Sequence, residues 1–89
     1  MKFRSNLEYF DSIREFAAEL DEAGNTELAT KVRESLTYIN GLTEGWADHL
    51  ETLLEYETNP NKSLTADQRS RLTEFCDAAY EAVYRRKRL

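Results

Sequence analysis

The chain has 89 residues, of which 40% are hydrophobic and 33% are charged, and its formal net charge is −5. A chain of this length forms one small domain, residues 1–89, whose interior is too small to enclose a large active site. No stretch approaches the ~20 consecutive apolar residues of a transmembrane helix, and the first residues lack the apolar run of a secretory signal. Cys76 is the only cysteine, which excludes an internal disulfide and a metal site with several thiolates. We therefore expect a cytoplasmic protein without a cofactor.

The first predicted helix covers residues 6–23. Ser5 and Glu8 have the spacing of a capping box, which satisfies two backbone N–H groups at the start of a helix. Gly24 follows at the position of a left-handed C-terminal cap. The apolar face of this helix consists of Phe10, Ile13, Phe16, Ala17 and Leu20.

The second predicted helix covers residues 27–39, with Asn25 or Thr26 as its cap and Asn40-Gly41 as its end. Its apolar residues lie within an arc of about 100°, which is typical of a half-buried helix. They are Leu28, Ala29, Val32, Leu36 and Ile39.

The third and fourth predicted helices cover residues 44–57 and 66–86. Thr43 is the predicted cap of the third helix, and Thr65 with Gln68 forms a second capping box at the start of the fourth. Their apolar stripes are Trp46, Ala47, Leu50, Leu53 and Leu54 in the third helix and Leu72, Phe75, Cys76, Ala79 and Val83 in the fourth.

Four amphipathic helices joined mostly by short links predict an all-α fold, a compact antiparallel four-helix bundle or array. The second and third helices are short, so a less regular array, or a bundle completed by dimerisation, is the rival arrangement. No alternating β-branched run predicts a strand.

Candidate catalytic groups are few, and we expect no enzymatic activity and no metal site. His49 is the only histidine, and Trp46 stands where a Glu-x-x-His metal motif needs its glutamate. We expect a solvated His49 at the rim of the bundle, a buried Cys76, and Trp46 as a core anchor. The three glycines are interpreted as helix punctuation rather than as parts of a phosphate-binding loop. They are Gly24, Gly41 and Gly45.

Acidic residues form two helical stripes opposite the apolar faces, with spacings of three and four residues. The first acidic stripe consists of Glu8, Asp11, Glu15, Glu19 and Glu22, and the second acidic stripe consists of Glu44, Asp48, Glu51 and Glu55. Like charges at this spacing destabilise a helix by about 0.2–0.5 kcal/mol per pair. The stripes are therefore solvated faces, faces paired with basic residues of other helices, or a docking face for a basic partner. The candidates for internal pairing are Lys31, Arg33, Arg69, Arg71 and the basic tail.

The last residues reverse the charge of the chain. Residues 1–84 contain 17 acidic and 8 basic residues, and the tail that follows is basic. Its charged residues are Arg85, Arg86, Lys87 and Arg88. Positive charge at a helix C-terminus complements the helix dipole; otherwise the tail contacts phosphate or an acidic neighbour. Because Tyr and Arg are enriched in protein interfaces, this end of the chain is a predicted secondary contact surface. It consists of Tyr80, Tyr84, Arg85 and Arg88.

These patterns favour a small acidic helical interaction module that acts as an inhibitor, adaptor or regulator by binding a basic partner protein. Competition with nucleic acid for a basic groove is one form of this hypothesis. Two alternatives stay open: a structural homodimer without a separate ligand, and nucleic-acid contact through the basic tail. Membrane binding is not expected, because an anionic surface repels an acidic body.

Overall fold

The computed structural model describes residues 3–39, 43–58 and 64–88. Within these ranges the chain forms four helices and no strand, which confirms the predicted all-α bundle. The helices are α1 (Asn6–Glu22), α2 (Thr26–Leu36), α3 (Thr43–Thr58) and α4 (Ala66–Tyr84).

The predicted helix starts agree with the structure to within one residue, and capping side chains fix the starts of α1 and α4. The Ser5 side chain accepts a hydrogen bond from the backbone N–H of Glu8 at 3.1 Å. Thr65 and Gln68 form the complete capping box, with both reciprocal hydrogen bonds present. Thr43, the predicted cap of the third helix, is the first residue of α3.

The helix ends agree less well with the predictions. Gly24 adopts a φ of 84° after α1, as its capping role requires. However, α2 ends at Leu36 rather than at residue 39, and α4 ends at Tyr84 rather than at residue 86. The predicted helix end at Asn40-Gly41 lies outside the described residues.

The end of α4 is a left-handed turn at a residue other than glycine. Arg85 has a φ of 57° and a ψ of 32°, a conformation that costs roughly 1–2 kcal/mol for a residue with a side chain. The turn stops the helix and redirects the tail. The predicted helical continuation to residue 86 was therefore wrong.

The helices surround one apolar core. Close backbone contacts join α1 to α2, α2 to α3 and α3 to α4, and a smaller contact joins α1 to α4. Helices α1 and α3 are therefore diagonal, and they meet only through side chains that cross the core. The largest fully buried apolar side chains are Phe16, Ile13, Leu20, Leu28, Leu53 and Val32.

Gly45 has a packing role that its interpretation as helix punctuation missed. It lies inside α3 and is buried. A Cβ at this position would lie 2.0 Å from the backbone oxygen of Tyr38. The absence of a side chain therefore lets the start of α3 approach the backbone that follows α2.

Candidate functional site

The first acidic stripe is largely neutralised by arginines. Arg4 pairs with Glu8 at 3.8 Å, Arg14 pairs with Asp11 at 3.8 Å, and Arg71 of α4 forms an ion pair with Glu19. Glu15 and Glu22 are exposed, and no Lys or Arg in the described part of the chain lies within 4.0 Å of their carboxylates.

Most of the other basic residues that were predicted to cover the stripes have different partners. Arg33 pairs with Asp21 at 2.6 Å, and Lys31 pairs with Glu34 at 4.0 Å. Neither carboxylate belongs to a stripe. Ion pairs within the chain therefore neutralise much of the first acidic stripe. Neither Lys31 nor Arg33 pairs with a carboxylate of the second acidic stripe.

The second acidic stripe is solvent-exposed along its whole length. The segment from Glu34 to Asn61 contains six acidic residues and no Lys or Arg. Across the described ranges, no cation lies within ion-pair distance of Glu44, Asp48 or Glu51. These three residues therefore carry a concentration of negative charge that no described cation neutralises.

Tyr38 completes a shallow groove beside the second acidic stripe. The groove has a volume of about 360 Å³ and is lined by Asp48, Glu51, Thr52, Glu55 and Tyr38. Tyr38 keeps 47% of its surface exposed. An aromatic ring beside carboxylates can hold a Lys or Arg side chain by combined charge and cation–π attraction.

Sequence reasoning missed Tyr38 as a surface residue of this groove. The tyrosine follows α2, and its place beside α3 depends on the close approach at Gly45. A glycine inside a predicted helix, next to its start, was the available signal, because such a glycine often marks close backbone contact.

The two acidic stripes lie on different faces of the bundle. Each faces away from the core, and their helices are diagonal across it. A partner that lies along one stripe therefore does not reach the other without wrapping around the molecule.

His49 is fully buried, so the prediction of a solvated residue at the rim was wrong. Its Nε2 atom lies 2.6 Å from the Tyr9 hydroxyl of α1, and its Nδ1 atom lies 2.8 Å from the Ser35 hydroxyl of α2. Both partners are also buried. His49 therefore joins three helices through hydrogen bonds inside the core. Because both of its ring nitrogens have protein partners, it does not need contact with solvent.

These hydrogen bonds form a chain with one direction. Ser35 donates its hydroxyl proton to the backbone oxygen of Val32 at 2.8 Å, so its oxygen accepts from Nδ1–H of His49. Nε2 of His49 is then an acceptor, and Tyr9 donates its one hydroxyl proton to it at 2.6 Å rather than to the backbone oxygen of Phe75, which lies farther away at 3.4 Å. This arrangement requires a neutral imidazole, and burial lowers the pKa of His49 to about 4.

Cys76 and Trp46 occupy the positions predicted for them. Cys76 is fully buried, and burial raises the pKa of its thiol to about 12. Trp46 is partly buried, stacked on Phe10 with ring centroids 5.7 Å apart. No group of three His, Cys, Asp or Glu side chains suited to a metal ion occurs among the described residues.

The predicted secondary contact surface divides into two parts. Tyr80 and Tyr84 pack with ring centroids 4.5 Å apart, Tyr84 is 54% exposed, and Arg85 is exposed beside them. Arg88 instead turns inward and pairs with Glu57 and Asp77. The tail thus contacts acidic residues of its own chain.

No protein-family model, curated protein or solved structure matches this chain. None of the described helices is both long and apolar enough to cross a bilayer.

Proposed function

We propose that the protein is a non-catalytic interaction module that binds a basic partner protein through the second acidic stripe and Tyr38. The observation that carries this proposal is the uncompensated charge of Glu44, Asp48 and Glu51: all three are exposed, and no described cation lies within 4.0 Å of them. Binding would make the protein an inhibitor, adaptor or regulator of that partner.

The energetics of the stripe favour a partner with matching positive charge. Neighbouring carboxylates at helical spacing repel one another by about 0.2–0.5 kcal/mol per pair. A basic partner removes this repulsion when it binds, and the field of the stripe accelerates encounter with it. Affinity carried by such contacts falls steeply as salt is added.

The groove indicates which partner side chain lies at the centre of the contact. Tyr38 offers an aromatic face, and Asp48 and Glu51 offer carboxylates beside it. Arginine suits this combination, because its planar guanidinium both stacks on an aromatic ring and pairs with carboxylates. A partner whose arginines otherwise hold nucleic acid would be blocked by the stripe.

The lone, free Cys76 supports a reducing, cytoplasmic setting.

The two alternative functions have less support. The large exposed apolar or aromatic side chains described are Leu7, Tyr38 and Tyr84, which belong to different parts of the bundle and do not favour an apolar homodimer. Nucleic-acid contact would use Tyr84 and Arg85, but a body with 17 acidic residues repels a phosphate backbone.

The test compares two variants with the same net charge. Asp48→Lys/Glu51→Lys reverses the second acidic stripe, and Glu15→Lys/Glu22→Lys reverses two exposed carboxylates on the opposite face. Both are titrated with an arginine-rich peptide at low and physiological salt, and NMR amide shifts report the contact. We expect the first variant to lose binding at this surface and the second to keep it, with the largest wild-type shifts around Asp48 and Glu51 of α3 and at Tyr38.

Equal loss of peptide binding in both variants would show attraction to net charge alone and would overturn the docking proposal. The same pair of variants then serves as bait in extracts of the source organism. A basic protein retained by the wild type and by Glu15→Lys/Glu22→Lys, but not by Asp48→Lys/Glu51→Lys, identifies the partner. Self-retention that survives high salt would instead establish the homodimer.

A further inference from the structure

The basic tail folds back onto the seam between α3 and α4. The left-handed turn at Arg85 redirects the chain after α4, and Arg88 then reaches carboxylates on both helices. Its guanidinium donates from Nη1 to Glu57 Oε2 at 2.9 Å and from Nη2 to Glu57 Oε1, and its Nη1 lies 3.3 Å from Asp77 Oδ1. The contact with Glu57 is thus a two-point fork, the geometry by which arginine recognises a carboxylate.

The carboxylate of Glu57 that receives Arg88 is held in a defined, largely buried position. The Glu57 side chain is 19% exposed and that of Arg88 is 26% exposed, so the pair is largely removed from water. The side chains of Thr73 and Cys76 lie close to the Glu57 carboxylate and help to lower its pKa. The hydrogen bond from Arg88 is the main reason that the pKa of Glu57 lies below its usual value. The carboxylate is therefore fixed in position and charged, as a guanidinium receptor must be.

The rest of the tail has little hold on the bundle. Arg85, Arg86 and Lys87 are exposed. Arg86 makes a single long hydrogen bond of 3.4 Å to the Tyr80 hydroxyl. Through the described residues 86–88, Arg88 therefore provides the main attachment, and the tail can leave the site by withdrawing one side chain.

The seam beside Glu57 has room for an additional segment. A cavity of about 140 Å³ adjoins Glu57 and Thr73 and is bordered by Tyr56, Leu64 and Leu72. These side chains suit the aliphatic stem of an arginine or a neighbouring apolar residue.

We propose that Glu57 and Asp77 form a guanidinium-binding site for an arginine of a basic protein segment, and that Arg88 occupies this site as a displaceable, autoinhibitory ligand. The site lies on the seam between α3 and α4 and uses no residue of the second acidic stripe, so the proposal goes beyond the docking function and stands without it. An incoming arginine replaces Arg88 on the same carboxylate oxygens, and the charge of Arg88 becomes available beside the exposed charges of the tail.

Arg88 belongs to the same chain as its binding site, and this attachment determines how strongly it competes with a free ligand. A short tether gives a side chain an effective concentration in the millimolar range, against which a free ligand must compete. Removing the Arg88 side chain should therefore raise the affinity for a basic peptide by about tenfold or more.

The experiment uses the full chain and an amidated peptide that copies residues 84–88. Binding is measured by calorimetry for the wild type, Arg88→Ala, the matched tail control Arg86→Ala, and Arg88→Ala/Glu57→Gln. We expect about tenfold tighter binding to Arg88→Ala than to the wild type, no gain for Arg86→Ala, and loss of that gain when Glu57 is also changed. The proposal is overturned if Arg88→Ala binds no better than the wild type, or if the change at Glu57 leaves its binding intact.

A second measurement keeps the test informative if the Glu57 variant fails to fold. Cys76 is fully buried close to Glu57, so its alkylation by iodoacetamide reports opening of this seam. Excess peptide should slow the alkylation of Arg88→Ala, whose site is vacant, and should leave the rate of the wild type, whose site Arg88 already occupies, nearly unchanged. If the peptide changes neither rate, it does not exchange with Arg88, and the proposal fails even if the second acidic stripe still binds arginine-rich peptides.

Discussion

Nε2 of His49 on α3 lies 2.6 Å from the hydroxyl of Tyr9 on α1, with 40 positions of chain between them and no solvent access to His49. This hydrogen bond joins the two diagonal helices of the bundle, whose backbones make no close contact. A bundle held by apolar packing alone tolerates rotation of a helix about its axis more readily than one with a fixed polar contact. The bond therefore specifies which faces of α1 and α3 point inward, and so which faces carry the acidic stripes.

The neutral state of His49 predicts a loss of stability in acid. The pKa is about 4 in the folded chain and 6.5 for an unperturbed histidine. Because the folded value is the lower one, the unfolded chain binds more protons between them, and the free energy of unfolding falls as the pH falls from about 6.5 to about 4. The loss from this residue is on the order of 3 kcal/mol.

Chemical denaturation across this pH range measures the loss, with His49→Gln as the control that lacks the titrating ring. The fold also lowers the pKa of Glu57, so protonation of Glu57 reduces the free energy of unfolding of both proteins in acid. The difference between their two curves therefore reports His49. Parallel curves for the wild type and His49→Gln would contradict the prediction.

Tyr9→Phe should destabilise the fold by about 1–3 kcal/mol, because it leaves Nε2 of His49 buried without a donor. Tyr80→Phe is the matched control: among the described residues its hydroxyl has only the 3.4 Å contact with the exposed Arg86, and we expect a change within about 0.5 kcal/mol. Urea denaturation near neutral pH gives both values. A loss of similar size in the two variants would show that the ring environment, rather than the hydrogen bond to His49, is responsible.

Gly45→Ala should destabilise the fold by about 1–3 kcal/mol, the usual effect of inserting a methyl group into a packed site. The new Cβ would meet the backbone of Tyr38 rather than a movable side chain. Gly24→Ala is the comparison, since no atom lies within 4 Å there and only its φ of 84° opposes the change. Thermal unfolding ranks the variants, and NMR of Gly45→Ala should show altered shifts at Tyr38 and Asp48. A stable Gly45→Ala variant with unchanged shifts would contradict the role assigned to this glycine.

Arg85→Gly should stabilise the fold by about 0.5–1 kcal/mol, because glycine adopts the left-handed conformation without the penalty of a Cβ. Arg86→Gly, one position later, is the control and should not stabilise. The melting temperatures of the two variants decide between the outcomes. Destabilisation by Arg85→Gly would mean that the side chain of Arg85 makes a larger contribution than its exposure indicates.

Local sequence signals predicted the helices well and the polar core poorly. Caps such as Ser5 and Thr65 act on backbone groups a few residues away, so their effect is visible in the sequence. His49 stands three residues after Trp46 and four before Leu53, a spacing that places it within the apolar stripe. Its polarity obscured that signal, and its bonding partners come from two other helices, which periodicity within α3 does not reveal.

The second acidic stripe was recognisable for the same local reason, because charge and spacing within one helix define it. The inward position of Arg88 was not. It depends on the left-handed turn at Arg85 and on carboxylates that α3 and α4 bring together only in the folded bundle.

The directional chain from Tyr9 through His49 to Ser35 also constrains how the sequence can evolve. Each hydroxyl satisfies one ring nitrogen, and a single apolar replacement leaves a buried polar group without its partner. Replacing all three polar groups together by apolar ones of similar volume removes that penalty. In diverging descendants of this chain, positions 9, 35 and 49 should therefore change as a set, although they are separated in sequence and belong to three different helices.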